Sequence, residues 1–269
     1  MIMIVRKAVR PPYEIIAKDF TLGIEFPSFK ETLEELKGSK SKTEYLEKEE
    51  LALFIKTAYE IPEESETEKE QLTLRQCARA LHILAYSGLR IGELCALSEI
   101  DIDQEEQKIN VIKTLNVQHG IENYILDTPK NETSVREVDV TKQVLDLFKE
   151  QEHEKKKLRL MIGGEFYTKE KFIFINAYKK PGYPLSPLEI ARYMKLVLEK
   201  AKLPLELSPH KLRHTYTSLM AEAGVELAAI QRQLGHANDA MTTRIYLHVT
   251  KARRRTDVEK LEVLMNSLN

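Results

Sequence analysis

The order of sequence textures along this chain restricts its fold more than any single motif does. Up to Ser98, apolar residues recur at helical spacing. After Thr43 come Leu51, Phe54, Ile55 and Tyr59, and Leu72 to Ser87 reads as a strongly apolar helix stopped by Gly88. Ile91 to Leu97 reads as a short second helix. The period then shortens to two. Lys108 to Lys113 alternates as a strand does, Gly120 supplies a turn, and Glu122 to Leu126 and Arg136 to Val140 read as two more strands. A polar turn from Lys130 to Ser134 joins those two as a hairpin. Helical spacing returns from Thr141 to about Leu158, where Gly163-Gly164 ends it. Beyond a short apolar piece, Phe172 to Ile175, and a Pro181–Pro184 loop, helices are expected over Pro187–Ala201, Pro209–Ala223, Glu226–Leu234 and Ala240–Tyr246. A last, charged helix follows from about Ala252. Helices on either side of one small antiparallel sheet make a mostly helical α+β domain.

Composition narrows the class. A chain of 269 residues with 42% hydrophobic and 31% charged residues suits a globular protein, with room for one large domain or two small ones. No apolar run approaches the ~18 residues that cross a bilayer. The start, Met1 to Lys7, has the wrong order of charge and apolar residues for a signal peptide, so a cytoplasmic location without membrane contact is expected. Cys77 and Cys95 lie in apolar, helix-like sequence and read as small core residues, not as a disulfide or a metal site. Residues 1–43, punctuated by Pro11-Pro12 and Pro27 and ending in Lys37-Gly38-Ser39-Lys40-Ser41-Lys42, read as a remnant or extension with a linker. Residues 44–269 read as the main domain. The net charge of −1 hides a segregation. From Glu44 to Glu70 ten acids face three lysines, a net of −7, whereas from Leu207 to Arg255 eight bases face three acids, a net of +5. Such a basic stretch can serve phosphates whatever the total charge.

Four clusters carry chemistry. In Ser87-Gly88-Leu89-Arg90-Ile91-Gly92-Glu93-Leu94, Arg90 follows a glycine turn and opens a helix, which sets a guanidinium beside backbone N–H groups; Glu93 is placed to hold it. Lys130 falls at the tip of the expected hairpin, where a side chain can reach a ligand. In Ser208-Pro209-His210-Lys211-Leu212-Arg213-His214-Thr215, His210 and Arg213 share one face near a helix N-terminus. The His210/His214 pair lacks the intervening carboxylate of a zinc helix and carries Lys211 and Arg213 instead, so no metal is expected. The fourth cluster is Leu234-Gly235-His236-Ala237, with Tyr246 ten residues beyond His236. Singly, each cluster is ordinary surface or packing.

Together they suit attack on a phosphodiester without metal. Two arginines can clamp the non-bridging oxygens on which charge accumulates. Tyrosine, with an ordinary pKa of about 10, needs nearby cations or a base to become a nucleophile. His210 suits proton transfer or hydrogen bonding there, Lys130 can protonate the departing 5′ oxygen, and His236 can hydrogen-bond the phosphate.

These boxes, in this order and with all six positions filled, resemble those of the tyrosine recombinase (phage integrase) family over about residues 44 to 266. Ser87 to Leu94 is similar to that family's first-arginine box. Pro129-Lys130 with Ser134 and Arg136 resembles its hairpin-lysine motif, and His210 to Thr215 its His-x-x-Arg box. Leu234-Gly235-His236 and Tyr246 resemble its second histidine and its nucleophile. The resemblance implies the tyrosine recombinase catalytic fold. It implies a site-specific recombinase or integrase in which Tyr246 attacks DNA to form a 3′-phosphotyrosyl bond and free a 5′-hydroxyl. No cofactor, ATP or metal is then needed. The implied partners are double-stranded DNA attachment sites and further copies of the chain, as a tetramer on paired sites. The implied role is integrating or excising a mobile element or prophage. The helix after Ala252 is the candidate for a subunit contact. The family usually carries an N-terminal core-binding domain. Ile15 to Thr32 resembles only its end, so a truncated chain with a weaker hold on DNA is expected. Topoisomerase-like relaxation, a non-catalytic DNA-binding role and a metal-dependent hydrolase remain as alternatives.

Overall fold

The structure, a computed structural model, describes residues 15, 45–128, 135–235 and 240–267, without the side chains of 251–261 and 263. By its contacts the chain divides into two units, Met1–Lys42 and Thr43–Asn269, and all the described helices and strands belong to the second.

The helices are α1 Lys48–Glu60, α2 Glu68–Ser87, α3 Ile91–Ala96, α4 Lys142–Ile162, α5 Pro187–Lys200, α6 Pro209–Glu222, α7 Leu227–Leu234 and α8 Ala240–Asn266. The strands are β1 Ile102–Asp103, β2 Lys108–Val111, β3 Thr114–Asn116, β4 Ile125–Asp127 and β5 Arg136–Asp139.

The apolar helix expected near Leu72 is the axis of the core. It starts earlier, at Glu68, because the Thr67 hydroxyl accepts the Glu70 N–H (3.2 Å) and caps it. It ends where expected, on Gly88, whose φ of +65° is left-handed. α1, α4, α5 and α6 all pack against α2. That is why its residues are buried on every side from Gln76 to Ala85, small Cys77, Ala78 and Ala80 among them. Cys77 and Cys95 are both buried and unpaired with each other, as core residues. Polar side chains of α2 are buried with partners, Gln76 and Arg79 among them. Gln76 Nε2 donates to the Ile175 carbonyl (2.8 Å) and its Oε1 accepts the Ile175 N–H (3.0 Å). Arg79 donates to Gln151 (2.8 Å) and pairs with Glu154 (2.5 Å) on α4.

The sheet differs from the expected hairpin. Among the described residues there are two antiparallel sheets, β1-β2-β5 and β3-β4. β2 and β3 lie almost end to end on one stretch of chain. Val111 pairs with Arg136 on β5, and Thr114 pairs with Asp127 on β4. On one side only Ile112 and Lys113 separate these pairings, while on the other eight sequence positions, 128–135, lie between them. β4 and β5 therefore use the same partner stretch consecutively instead of pairing with each other. The apolar piece Phe172–Ile175 is not a ladder strand. It is buried, and its backbone is satisfied by isolated partners: Ile173 N–H donates to Leu97 (3.0 Å), and Phe174 accepts from Leu185 N–H (3.0 Å).

The C-terminal end also differs. One helix, α8, runs without the break expected between Tyr246 and Ala252. Leu247 to Lys251 contains no glycine or proline to stop it, and the Thr250 hydroxyl donates back to the Tyr246 carbonyl (2.7 Å), a bond that fits inside a continuing helix. Among the described residues no helix is long and apolar enough to cross a membrane.

Candidate active site

Three chain turns meet at one guanidinium. Arg213, in the second turn of α6, is buried at 2% exposure. Its Nη1 donates to the Gly88 carbonyl (2.5 Å) at the end of α2, and its Nη2 donates to the Leu234 carbonyl at the end of α7. Both acceptors are carbonyls at helix C-termini, which carry partial negative charge and suit a cation. Arg213 thus ties the turn leading to Arg90 to the turn leading to residue 236. Gly88 permits this approach for a second reason besides its φ. A Cβ there would lie 2.5 Å from Tyr216 Cδ1 and 2.8 Å from a Leu234 methyl.

Arg90 stands at the N-cap of α3, one third exposed. Its Nη1 donates to Glu93 Oε1 (2.7 Å), and its backbone N–H donates to Glu93 Oε2 (2.8 Å). Glu93 does hold Arg90, and it also holds Arg136, which sequence reasoning left without a task. Arg136 Nη1 and Nη2 donate to the two Glu93 oxygens (3.0 and 2.9 Å), and its Nε donates to the Gln233 carbonyl (2.9 Å). Burial pushes the Glu93 carboxyl up. The hydrogen bonds and charge of Arg136, then those of Arg90, outweigh this and bring it down to about 2. Glu93 is therefore a fixed anion between two arginines at any ordinary pH.

His210 lies in the first turn of α6, exposed, with its ring 5.0 Å from that of His214 in an edge-on arrangement. Tyr246 lies on α8, half-buried, packed against the small cluster of Tyr216, Ala221, Ile230 and Leu234. α8 packs along α6, so the helix of the candidate nucleophile lies against the helix of His210 and Arg213. Lys130 and His236 lie outside the described residues. Their neighbours are placed: Asp127 and Arg136 end the paired strands around the first, and Gly235, with φ +68°, precedes the second.

Gln233 was also missed. Its side-chain amide pairs with both backbone groups of Asp139 on β5, Nε2 donating to the carbonyl and Oε1 accepting the N–H (3.3 Å). Its amide nitrogen also lies 3.4 Å from the Tyr216 hydroxyl. No local signal marks such a residue, since its partner is 94 positions away. Among the described residues no group of three or more His, Cys, Asp or Glu side chains is placed to hold a metal ion.

Residues 44–253 match the model of the phage integrase family, and the chain belongs to that family. The XerC-like tyrosine recombinase of Caldanaerobacter subterraneus is 30% identical over 196 residues, covering 69% of this chain and 49% of that protein. The transposase from transposon Tn916 of Enterococcus faecalis is 34% identical over 175 residues, covering 62% and 41%. Among solved structures, the Tn1549 transposon integrase in complex with circular intermediate DNA aligns with a TM-score of 0.64 at 26% identity. That alignment covers 86% of this chain and 71% of that one. The chain spans about half the length of the curated relatives it matches.

Proposed function

We propose that this chain is a site-specific DNA recombinase that integrates or excises a mobile element or prophage, with Tyr246 as its nucleophile. The observation that carries the reading is Arg213, whose guanidinium binds the Gly88 and Leu234 carbonyls and so gathers three of the four motif clusters. Tyr246, packed against the cluster that contains Leu234, adds the tyrosine of the fourth. Membership of the phage integrase family supports it, as does the similarity to an integrase solved with DNA.

In the proposed reaction Arg90 and Arg213 face the non-bridging oxygens of a DNA phosphate, and the Tyr246 oxygen attacks phosphorus. The P–O5′ bond breaks as the P–O(Tyr) bond forms. His210 assists at the phosphate, His236 hydrogen-bonds it, and Lys130 gives a proton to the departing 5′ oxygen. The bond energy stays in the 3′-phosphotyrosyl linkage, so a 5′-hydroxyl from a partner strand can reverse the step without ATP or metal. The proposed partners are double-stranded attachment sites and three further copies of the chain, acting wherever the cell keeps its DNA. We read residues 1–43 as the end of a core-binding domain and its linker.

The test uses nicked duplexes carrying candidate attachment sequences, with chelator present. The short 5′-hydroxyl fragment diffuses away and traps the covalent state. A protein–DNA band on a denaturing gel that disappears in Tyr246→Phe is expected. A band that persists in Tyr246→Phe rules the reading out.

A further inference from the structure

Arg136 follows the candidate lysine in sequence, and Glu93 and Gln233 are among its partners. Its planar fork meets both oxygens of Glu93, and its third donor meets the Gln233 carbonyl. It is nearly buried, at 6% side-chain exposure, and so is Glu93 at 4%. Arg90, the other cation on the same carboxylate, is 33% exposed. A one-third-exposed arginine on an i,i+3 carboxylate is by itself loosely held, because water competes for the guanidinium. A buried second arginine changes this: it takes both Glu93 oxygens at fixed angles and leaves the carboxylate one orientation in which to accept from Arg90.

The strand that carries Arg136 is itself clamped. At one end Arg136 donates to Gln233, and three residues on the Gln233 amide pairs with both backbone groups of Asp139. Gln233 precedes Leu234, whose carbonyl accepts from Arg213. A continuous set of bonds therefore runs from Arg90 through Glu93 and Arg136 to the end of α7 and on to Arg213.

We propose that Arg136 is a positioning residue that, through Glu93 and the Gln233 carbonyl, holds the Arg90 guanidinium in register with that of Arg213. This rests on the strand-cleavage reading, which gives the two arginines a shared phosphate. Lysine does not replace Arg136, since a single ammonium cannot present three donors in one plane to a carboxylate and a carbonyl.

The test compares wild type, Arg136→Gln, Arg136→Lys and Arg90→Ala on two nicked duplexes. One has an ordinary scissile phosphate; in the other a methyl group replaces one non-bridging oxygen and removes the negative charge that Arg90 serves. Arg136→Gln is expected to slow adduct formation on the phosphate on the order of 100-fold, as a misplaced clamp does. On the neutral phosphonate its defect shrinks, in parallel with Arg90→Ala. Equal losses on both substrates, or no loss, overturn the inference, because a merely weakened fold does not distinguish them. If Arg136→Gln fails to show a cooperative thermal transition, Arg136→Lys, which keeps the charge and loses the fork, carries the same comparison.

A second measurement needs no activity. In the DNA-free protein, side-chain NMR is expected to show the Arg90 Nη hydrogens, which Glu93 holds, exchanging faster with water in the Arg136 variants. The Glu93 carboxyl then titrates above its native value of about 2. Unchanged Arg90 exchange and Glu93 titration overturn the inference. If wild type forms no adduct while Arg90 is released in the variants, the strand-cleavage reading fails and the holding of Arg90 by Arg136 stands.

Discussion

At the scale of single residues, two buried titratable groups set how the protein responds to acid. His82 is buried between Tyr59 and Tyr86 in edge-on ring contacts, and burial lowers its pKa from 6.5 to about 4. The unfolded chain therefore takes up this proton first. The stability that the neutral ring contributes is complete above the unfolded pKa and is lost as pH falls toward 4. Glu93 is depressed from 4.5 to about 2, so its contribution is complete above 4.5 and is lost as pH falls toward 2. At ~1.4 kcal/mol per pKa unit, each group contributes about 3 kcal/mol across its window. Urea midpoints taken from pH 7 to 2.5 are expected to fall in both windows. His82→Phe flattens only the upper one and Glu93→Gln only the lower. A third residue, Gly88, combines left-handed backbone with a close approach to Tyr216 and Leu234. Gly88→Ala is expected to cost about 1–3 kcal/mol in the same assay.

At the scale of elements, what was legible in the sequence was local. α2 and its stop at Gly88 follow from apolar spacing and one glycine. The strands β2, β4 and β5 lie within a few residues of their expected places, whereas the short β1 and β3 were not expected. What was not legible was pairing. The turn from Lys130 to Ser134 between two alternating segments looks like a hairpin. Yet β4 and β5 are partnered by β3 and β2, because the single stretch 108–116 is long enough to pair with both in turn. The boundary expected inside α8 had no stop signal behind it, only a change from mixed to charged residues, and charge alone does not end a helix. Candidate site residues were legible wherever a motif kept them close in sequence, as with Arg90 and Glu93. Arg136 and Gln233 were not, since their partners lie 43 and 94 positions away. A second glutamine works in the same manner. Gln76 pairs with both backbone groups of Ile175 inside the core, where no strand does so. Gln76→Ala strands a buried N–H and a buried C=O and is expected to cost about 2–4 kcal/mol, read from the urea midpoint.

At the scale of the whole molecule, the candidate site is assembled from α2–α3, α6, the end of α7 and α8, with the three-stranded sheet bracing it from the side through the bonds of Arg136 and Asp139 on β5 to Gln233. The chain is nearly neutral, but acids are sparse in the stretch from Leu207 to Arg255 that carries His210, Arg213 and Tyr246, where eight bases face three acids. DNA binding through such a region is expected to depend steeply on salt. Affinity measured by fluorescence anisotropy should fall by about 10³ between ~50 and ~200 mM salt if six or so phosphates are contacted. A flat salt response contradicts a DNA-facing site. The central claim, that Tyr246 joins covalently to a DNA 3′ end, is tested most directly by mass spectrometry. The adduct from a nicked duplex is trapped, its DNA digested and the protein cleaved into peptides. The expected result is a Tyr246 peptide carrying a 3′-linked nucleotide phosphate. A nucleotide on any other side chain, or trapped adduct with Tyr246 unmodified, contradicts the claim.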